Sequence, residues 1–163
     1  MKSSENLNQF DRKMLDTIRE HGCQVMSVFD DKGVQPDFSY SIGFPVTVSQ
    51  PEVLIYGLDR GLMHSMINET LDQCRAGLVL VDWMPVDGLL EGFRCIARSI
   101  PAHRIDAEHF GSAMWFERHR TGNDMTAAFQ IVWPGAANGL YPWEEGAKLT
   151  DSQPALYEPG RLS

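Results

Sequence analysis

The sequence predicts an α+β fold, with a largely antiparallel sheet of about six strands and three helices, and leaves open whether the sheet curls into a partly closed barrel. Predicted strands occur in consecutive runs, and the helices between them do not alternate strictly with single strands. The 163 residues are 43% hydrophobic, which is enough for one full core. We therefore expect a single α+β domain over residues 1–146 and a loosely ordered, polar tail over residues 147–163.

Three helices are predicted from polar capping residues followed by apolar residues at spacings of three and four. The predicted spans run from Asn8 to Gly22, from Asp59 to Gly77 and from Asp106 to Gly122. A glycine ends each of them, because the backbone beyond a helix often takes a left-handed conformation. In the third helix the inward face is expected to include Phe110 and Ala113, which leaves at least one of Trp115 and Phe116 exposed.

Six strands are predicted from short runs of β-branched, aromatic and other apolar residues bounded by turn residues. They cover Cys23–Phe29, Phe38–Ile42, Glu52–Gly57, Leu78–Asp82, Phe93–Ser99 and Thr126–Trp133. The first two strands are separated by a loop of hairpin scale and are expected to pair in antiparallel fashion. Pro85 and Gly88 favour a connecting segment between the fourth and fifth strands.

The acidic composition limits the classes of partner. A formal net charge of -8 opposes binding to nucleic acid or to an anionic membrane surface, and it favours a basic protein partner. No signal peptide and no apolar run of membrane-spanning length are visible, so a cytoplasmic location is expected. Cys23, Cys74 and Cys95 lie within predicted regular structure and are expected to be buried, reduced thiols. No metal-ligand spacing occurs, so neither a metal nor a cofactor is predicted.

The stretch FQIVWPGAANGLYPWEEG, Phe129–Gly146, carries the first candidate binding site. Its glycines, prolines and asparagine allow the loop to fold back, so Trp133 and Trp143 are expected to meet as a structural clasp at one rim of the sheet. If exposed, this rim offers an aromatic anchor beside Glu144 and Glu145, and such a surface suits basic protein segments.

A second candidate site lies on the second predicted helix. His64 and Asn68 are one turn apart and reach the same place, and Asp72 continues their stripe. A half-buried base beside an orienting amide can begin an acid/base site, and a boundary histidine bonded to a loop is the structural alternative. Tyr40, in the second strand, belongs either to the core or to a pocket lining. No GxSxG, P-loop or GxGxxG motif occurs, which excludes the enzyme families that require one.

Four segments carry a family likeness through their order and spacing: Phe38–Gly43, Gln50–Leu58, His64–Asn68 and Gln130–Trp143. Together they resemble a bacterial family known as domain of unknown function 4262. The resemblance runs from about Gly22 to Trp143 and implies a bacterial, cytosolic, stand-alone domain, with no activity to carry over. The chain departs from the family pattern at Gln50 and Gly135, where family members tend to have His and Asp, so any role of those side chains is lost in this chain.

The sequence is compatible with three functions. We rank protein binding first, for example an immunity protein that neutralises a basic toxin domain through the acidic face at Trp143, Glu144 and Glu145. The alternative is a small-molecule binding domain or enzyme, for a nucleotide or flavin, with a pocket near Tyr40, His64 and Asn68. The third is a homodimer formed through Trp115, Phe116 or the second helix.

Overall fold

The computed structural model describes residues 7–147 and 152–158. Its helices are α1 (Gln9–His21), α2 (Phe44–Val48), α3 (Arg60–Arg75) and α4 (Ala107–Thr121), with a short 3-10 turn over Ala102–Arg104. Its strands are β1 (Gln24–Val28), β2 (Phe38–Ile42), β3 (Glu52–Tyr56), β4 (Met84–Leu90), β5 (Phe93–Ile100) and β6 (Ala128–Val132). The helices predicted from Asn8, Asp59 and Asp106 correspond to α1, α3 and α4.

The strands form one sheet in the order β1-β2-β3-β6-β5-β4. β3 and β6 run parallel at its centre, and the other neighbouring pairs are antiparallel. The predicted α+β class and the six-stranded, largely antiparallel sheet are therefore confirmed. The sheet is open rather than closed into a barrel, and β1 and β4 are its two edges.

Side-chain caps begin the three long helices where the sequence predicts them. Asp11 N donates to Asn8 Oδ1 at 2.7 Å, and Asn8 N donates to Asp11 Oδ2 at 3.4 Å, which completes a capping box at the start of α1. Asp59 and Asp106 accept backbone N–H groups of the first turns of α3 and α4. Within the described ranges, no helix combines the length and the apolar character needed to cross a membrane.

Helices cover both faces of the sheet. On one face, α3 buries Met63, Met66, Ile67 and Leu71 against Val53 and Ile55 of β3. On the other face, α1 and α4 pack on the alternating residues Leu54 and Tyr56. This alternation along β3 follows from the two-residue period of a strand. The molecule is thus a three-layer arrangement with a separate apolar cluster on each side of the sheet.

The fourth strand lies later in the chain than the sequence predicts. The predicted strand Leu78–Asp82 is not a strand, and Val79 and Val81 are 57% and 50% exposed. The strand is Met84–Leu90, which contains both Pro85 and Gly88. It is an edge strand with a register shift between Val86 and Leu90, and an edge or a bulge tolerates residues that a central strand excludes. The turn residues therefore mark an irregular strand rather than a connection.

A short helix, α2, follows β2 where the sequence indicates only a strand end. Gly43 begins it with φ of 118°, a conformation that glycine adopts readily. The carboxylate of Glu52, 2% exposed, accepts from Gly43 N and Ser41 Oγ at 2.7 Å each and from Phe44 N at 3.1 Å. Burial raises the pKa of Glu52 to about 7, although these three hydrogen bonds oppose the shift. Glu52 thereby fastens the start of α2 to β3.

The buried face of α4 differs from the one predicted. Phe110 has non-helical backbone angles inside the helix, φ -130° and ψ 24°, and this kink shifts the helical phase that follows it. Phe116, three residues after the buried Ala113, is itself buried at 6% exposure, so it offers no surface for dimerisation. Trp115 is half-buried and stacks on His119, with ring centroids 5.0 Å apart.

Candidate functional site

Aromatic side chains gather around Trp143 beside β5. Its ring lies parallel to Tyr141, with centroids 5.2 Å apart and an interplanar angle of 4°. Trp83 and Tyr157 meet Trp143 edge-on at 5.0 and 5.9 Å. We call Trp83, Tyr141, Trp143 and Tyr157 the aromatic cluster. Stacked and edge-to-face contacts of this kind stabilise aromatic groups beyond their area burial, so the cluster fixes the position of Trp143.

The guanidinium of Arg98 lies inside the aromatic cluster. Its central carbon is 3.6 Å from the Trp83 ring centroid, 4.4 Å from that of Tyr157 and 5.3 Å from that of Trp143. Arg98 is only 2% exposed; its Nε donates to Asp82 Oδ1 at 3.0 Å and its Nη2 to the carbonyl of Glu158 at 3.0 Å. Nη1 is buried and has no hydrogen-bond partner in the described ranges, so the aromatic faces supply much of its stabilisation.

Residues 152–158, here called the C-terminal strap, lie over β6 and β5 on the face of the sheet that carries Gln130 and Arg98. Gln130 Nε2 donates to the carbonyl of Pro154 at 3.0 Å, and Leu156 N donates to Gln130 Oε1 at 2.9 Å. Gln153, Leu156 and Tyr157 are buried. This part of the expected loose tail is held against the sheet and supplies one ring of the aromatic cluster, whereas 148–151 and 159–163 lie outside the described residues.

Four carboxylates belong to residues that lie within two positions of members of the aromatic cluster in the chain. Glu144 and Glu145 are exposed and follow Trp143 directly, and Glu144 Oε1 also accepts from Tyr141 N at 2.9 Å. Asp82 and Glu158 add two further acidic groups, with side chains 43% and 63% exposed. We call these four carboxylates together with the aromatic cluster the acidic rim. Because Arg98 is enclosed, its positive charge is less available to solvent than the carboxylates are.

The two tryptophans of the loop hold different positions. Trp133 is 9% exposed, packs in the α3-side cluster and donates its indole N–H to the carbonyl of Tyr56 at 2.8 Å. Across the described residues, the ring partners of Trp143 are Trp83, Tyr141 and Tyr157 rather than Trp133. The Trp133 end of the loop is instead fastened by Gln153, whose side chain bonds both backbone groups of Trp133. The loop therefore closes this end of the sheet without a direct indole pair.

The predicted pair His64 and Asn68 lines a cleft of about 480 Å³ between α3, β1 and the end of α1. Asp72 and Arg75 lie on the same side, so the predicted α3 stripe faces one space. Cys23 forms part of the wall, and its Sγ donates to Asn68 Oδ1 at 3.7 Å. The cleft is lined by Thr17, His21, Cys23, Gln24, Val25, His64, Asn68, Leu71, Asp72 and Arg75.

Tyr40 does not take part in this cleft. It is 3% exposed and belongs to the apolar cluster under α4, on the opposite face of the sheet from α3. Its phenol oxygen accepts from Ser112 N at 3.1 Å, and its ring meets Phe110 at 5.6 Å. Burial raises the pKa of Tyr40, so the phenol stays protonated at neutral pH. Its position is that of a hydrogen-bonded core residue.

The cleft offers hydrogen bonding rather than a nucleophile. Burial raises the pKa of Cys23 to about 12, so its thiol is protonated at neutral pH and unreactive. Arg75 closes one end by donating to the carbonyl of His21 at 3.2 Å and to Asp72 at 3.4 Å. Apart from two imidazoles, the lining has no aromatic ring on which a flavin or a base would stack.

Asp106, Glu108 and His109 have ligand atoms close enough together to hold a metal ion. The helix cap accounts for this grouping, because Asp106 Oδ1 accepts from His109 N at 3.0 Å and lies 2.8 Å from His109 Nδ1. The His109 ring also packs on Phe38 at 5.6 Å. The closeness of Asp106, Glu108 and His109 therefore follows from the capping of α4.

Sequence reasoning missed Trp83, Arg98 and Tyr157 as parts of the site. Arg98 carries a usable signal, since a charged residue inside the apolar pattern of a strand needs a partner when it is buried. Trp83 has positive φ, 68°, and Tyr157 reaches the cluster from the far end of the chain. Neither position follows from local spacing.

Comparison with known proteins adds a family. Residues 17–148 match the family described as Domain of unknown function (DUF4262). That range contains the cleft and most of the acidic rim and ends before the C-terminal strap. No curated protein and no solved structure matches the chain.

Proposed function

The chain belongs to the DUF4262 family, and from the geometry of its acidic rim we propose that it is a protein-binding domain for a basic segment of a partner protein. The observation that carries the proposal is the half-buried Tyr141–Trp143 stack flanked by the exposed carboxylates Glu144 and Glu145. Aromatic anchors with a charged border are typical of protein interfaces.

The aromatic cluster favours cations on physical grounds. The faces of Trp83 and Tyr157 already hold the Arg98 guanidinium, so the rings of this cluster stabilise that ion in place of water. A partner arginine or lysine that reached Tyr141 and Trp143 would meet the same ring electrostatics, now beside carboxylates. The net charge of -8 adds long-range attraction, so association should weaken as salt rises.

The finer proposal is an immunity protein in a bacterial cytoplasm, whose partner is a basic toxin domain. It is supported by the acidic charge and by the match of the rim to a cationic surface. A toxin gene beside this one, and survival of cells that express that toxin only when this protein is present, would support it. A neighbouring gene set devoted to metabolism would count against it.

A capture experiment with charge-matched variants tests the proposal. The tagged protein is expressed in its native cells, cross-linked, and its partners are identified with the positions of the links. We expect a stoichiometric basic protein linked near residues 141–147 and lost in the double variant Glu144→Lys/Glu145→Lys. The control Glu20→Lys/Asp31→Lys changes the net charge equally at other exposed positions and should retain the partner. Equal loss in both double variants, or no stoichiometric partner, would refute the rim as the binding site.

A second candidate function rests on the cleft. Its volume of about 480 Å³ and its polar lining around His64, Asn68 and Arg75 fit a small polar ligand or substrate. We propose thermal-shift measurements with nucleotides, flavins and small polar acids, together with analysis of any ligand released on denaturation. A shift that disappears in His64→Ala/Asn68→Ala but persists in Ser65→Ala, an exposed neighbour on α3, would favour this function. If no compound of the panel shifts the melting temperature, ligand binding in the cleft is excluded for these classes of compound.

A further inference from the structure

The two edges of the sheet are protected very differently. β4 carries Pro85, Asp87 and Gly88, and its register shifts between Val86 and Leu90. A proline, a charge and a bulge are the devices by which proteins prevent an edge strand from pairing with another chain. The β4 edge is therefore protected against pairing with a strand of another chain.

The β1 edge lacks all of these devices. Gln24–Val28 contains no proline, glycine or charged residue, and its register with β2 is continuous from Gln24–Ile42 to Val28–Phe38. All five residues are partly exposed, and Phe29, directly after the strand, is 45% exposed. An uncharged edge with a continuous register can accept a further strand, once Gln24 Nε2 releases the Val25 carbonyl to which it donates at 3.0 Å.

We propose that a second copy of this chain pairs with β1 in antiparallel fashion, about a two-fold axis at Met26. This register overlaps the whole strand: Met26 faces Met26 of the second copy, Gln24 faces Val28, and Val25 faces Ser27. Each pair is uncharged, so two chains of net charge -8 approach without carboxylates opposed along the strand.

Charged groups at the two ends of β1 have partners within the same chain. At its start, Arg75 is paired with Asp72 at 3.4 Å. At its end, Asp30 keeps its carboxylate within its own loop, where Lys32, Val34 and Gln35 donate backbone N–H groups at 3.1, 3.0 and 2.8 Å. The Asp30 carboxylate keeps its charge, so repulsion between the two acidic copies is screened by salt rather than cancelled.

The pairing would also extend the cleft. In this register Phe29 of the second copy lies opposite Cys23, and directly opposed residues of antiparallel strands point to the same face. Cys23 and Val25 line the cleft on the α3 side of the sheet. The second copy therefore brings the Phe29 ring, over which its own Arg60 lies at 4.5 Å, to a cleft whose own aromatic rings are two imidazoles. The complete site then belongs to the dimer.

The oligomeric state and a cross-link test the proposal together. Light scattering of the full-length protein should give twice the chain mass of 18.4 kDa at high concentration, and one chain mass on dilution. Met26→Cys places two thiols across the axis within reach of a disulfide. We expect it to cross-link about tenfold faster than the control Val46→Cys, because the dimer raises the local thiol concentration. Val46 is 51% exposed on α2, and the native cysteines are buried and should not contribute.

Two outcomes would overturn the proposal. A single-chain mass at all concentrations of the unchanged protein would exclude the dimer, whether or not any variant folds. A dimer in which Met26→Cys cross-links no faster than Val46→Cys would place the interface elsewhere. Circular dichroism of both variants verifies that they are folded before the rates are compared.

Discussion

Gln153 replaces a neighbouring strand for Trp133: Trp133 N donates to Gln153 Oε1 at 3.0 Å, and Gln153 Nε2 donates to the carbonyl of Trp133 at 2.7 Å. Gln130 does the reverse, since its side chain bonds the backbone of Pro154 and Leu156. Both glutamines are buried. Two side-chain amides, one on each partner, thus fasten the C-terminal strap to β6 and to Trp133, which follows it.

Gln153→Ala should lower the free energy of unfolding by about 2 to 4 kcal/mol, because it leaves two buried backbone groups of Trp133 without partners. Chemical denaturation measures the change. Gln73→Ala is the control, since Gln73 makes its bond to the Asp87 carbonyl at an exposed position and should cost well under half as much. Equal costs for the two variants would show that the strap contributes little to stability.

Gly57→Ala should detach the strap, because an added Cβ would lie 2.2 Å from the carbonyl oxygen of Ser152. Gly92 has the same φ, +81°, and open space around it, so Gly92→Ala isolates the backbone strain, about 1 kcal/mol. We expect Gly57→Ala to cost about 2 to 4 kcal/mol through strain plus collision. Limited proteolysis should cut near residues 152–158 faster in Gly57→Ala alone. Similar protease sensitivity in both variants would contradict this account.

Arg98→Met should lower the free energy of unfolding by about 2 to 4 kcal/mol, through loss of the cation–π contacts and of the bond to the Glu158 carbonyl. Tryptophan fluorescence should change as Trp83 and Trp143 lose the enclosed cation. Arg94→Met is the matched control on the same strand: Arg94 is 60% exposed and pairs with Asp87, so its loss should change stability far less than the loss of Arg98. A more stable Arg98→Met variant would show that the free-energy cost of burying the guanidinium exceeds the stabilisation that the rings and Asp82 provide.

Glu52 should make stability depend on pH. Its pKa is about 7 in the folded protein against 4.5 in the unfolded chain, so the folded state binds more protons between these values. Stability from this group is therefore fully present below pH 4.5 and is lost as pH rises to about 7, by about 3 kcal/mol in total. Denaturation across pH 4 to 8 should show this slope in the native protein, and Glu52→Gln should flatten it. Parallel pH profiles for the two proteins would contradict the buried titration.

The long helices could be predicted because their signals are local. Asn8, Asp59 and Asp106 bond N–H groups within three residues, so a capping residue and an apolar stripe locate each helix. The stripe of α3 also predicted that His64 and Asn68 face one space, as they do in the cleft. Helical spacing is a short-range property, and the sequence displays it directly.

The features that could not be predicted depend on contacts far apart in the chain. Locally, Pro85 and Gly88 predict a connecting loop. The sheet order places β4 at an edge, where a strand tolerates both residues. The sequence predicts Tyr40 beside His64, and their separation on opposite faces of the sheet follows only from how the helices pack. The aromatic cluster joins Trp83, Arg98 and Tyr157 through contacts that close only after the sheet forms.

The position of β6 sets the order in which this protein can be completed. β1, β2 and β3 form one meander early in the chain, and β4 with β5 forms a separate hairpin. Among the described strands, only β6, at Ala128–Val132, hydrogen-bonds to both β3 and β5 and unites them. On a ribosome, the nascent chain therefore holds two β units without hydrogen bonds between them until residue 132 has emerged, and the sheet becomes one cooperative structure only after that point.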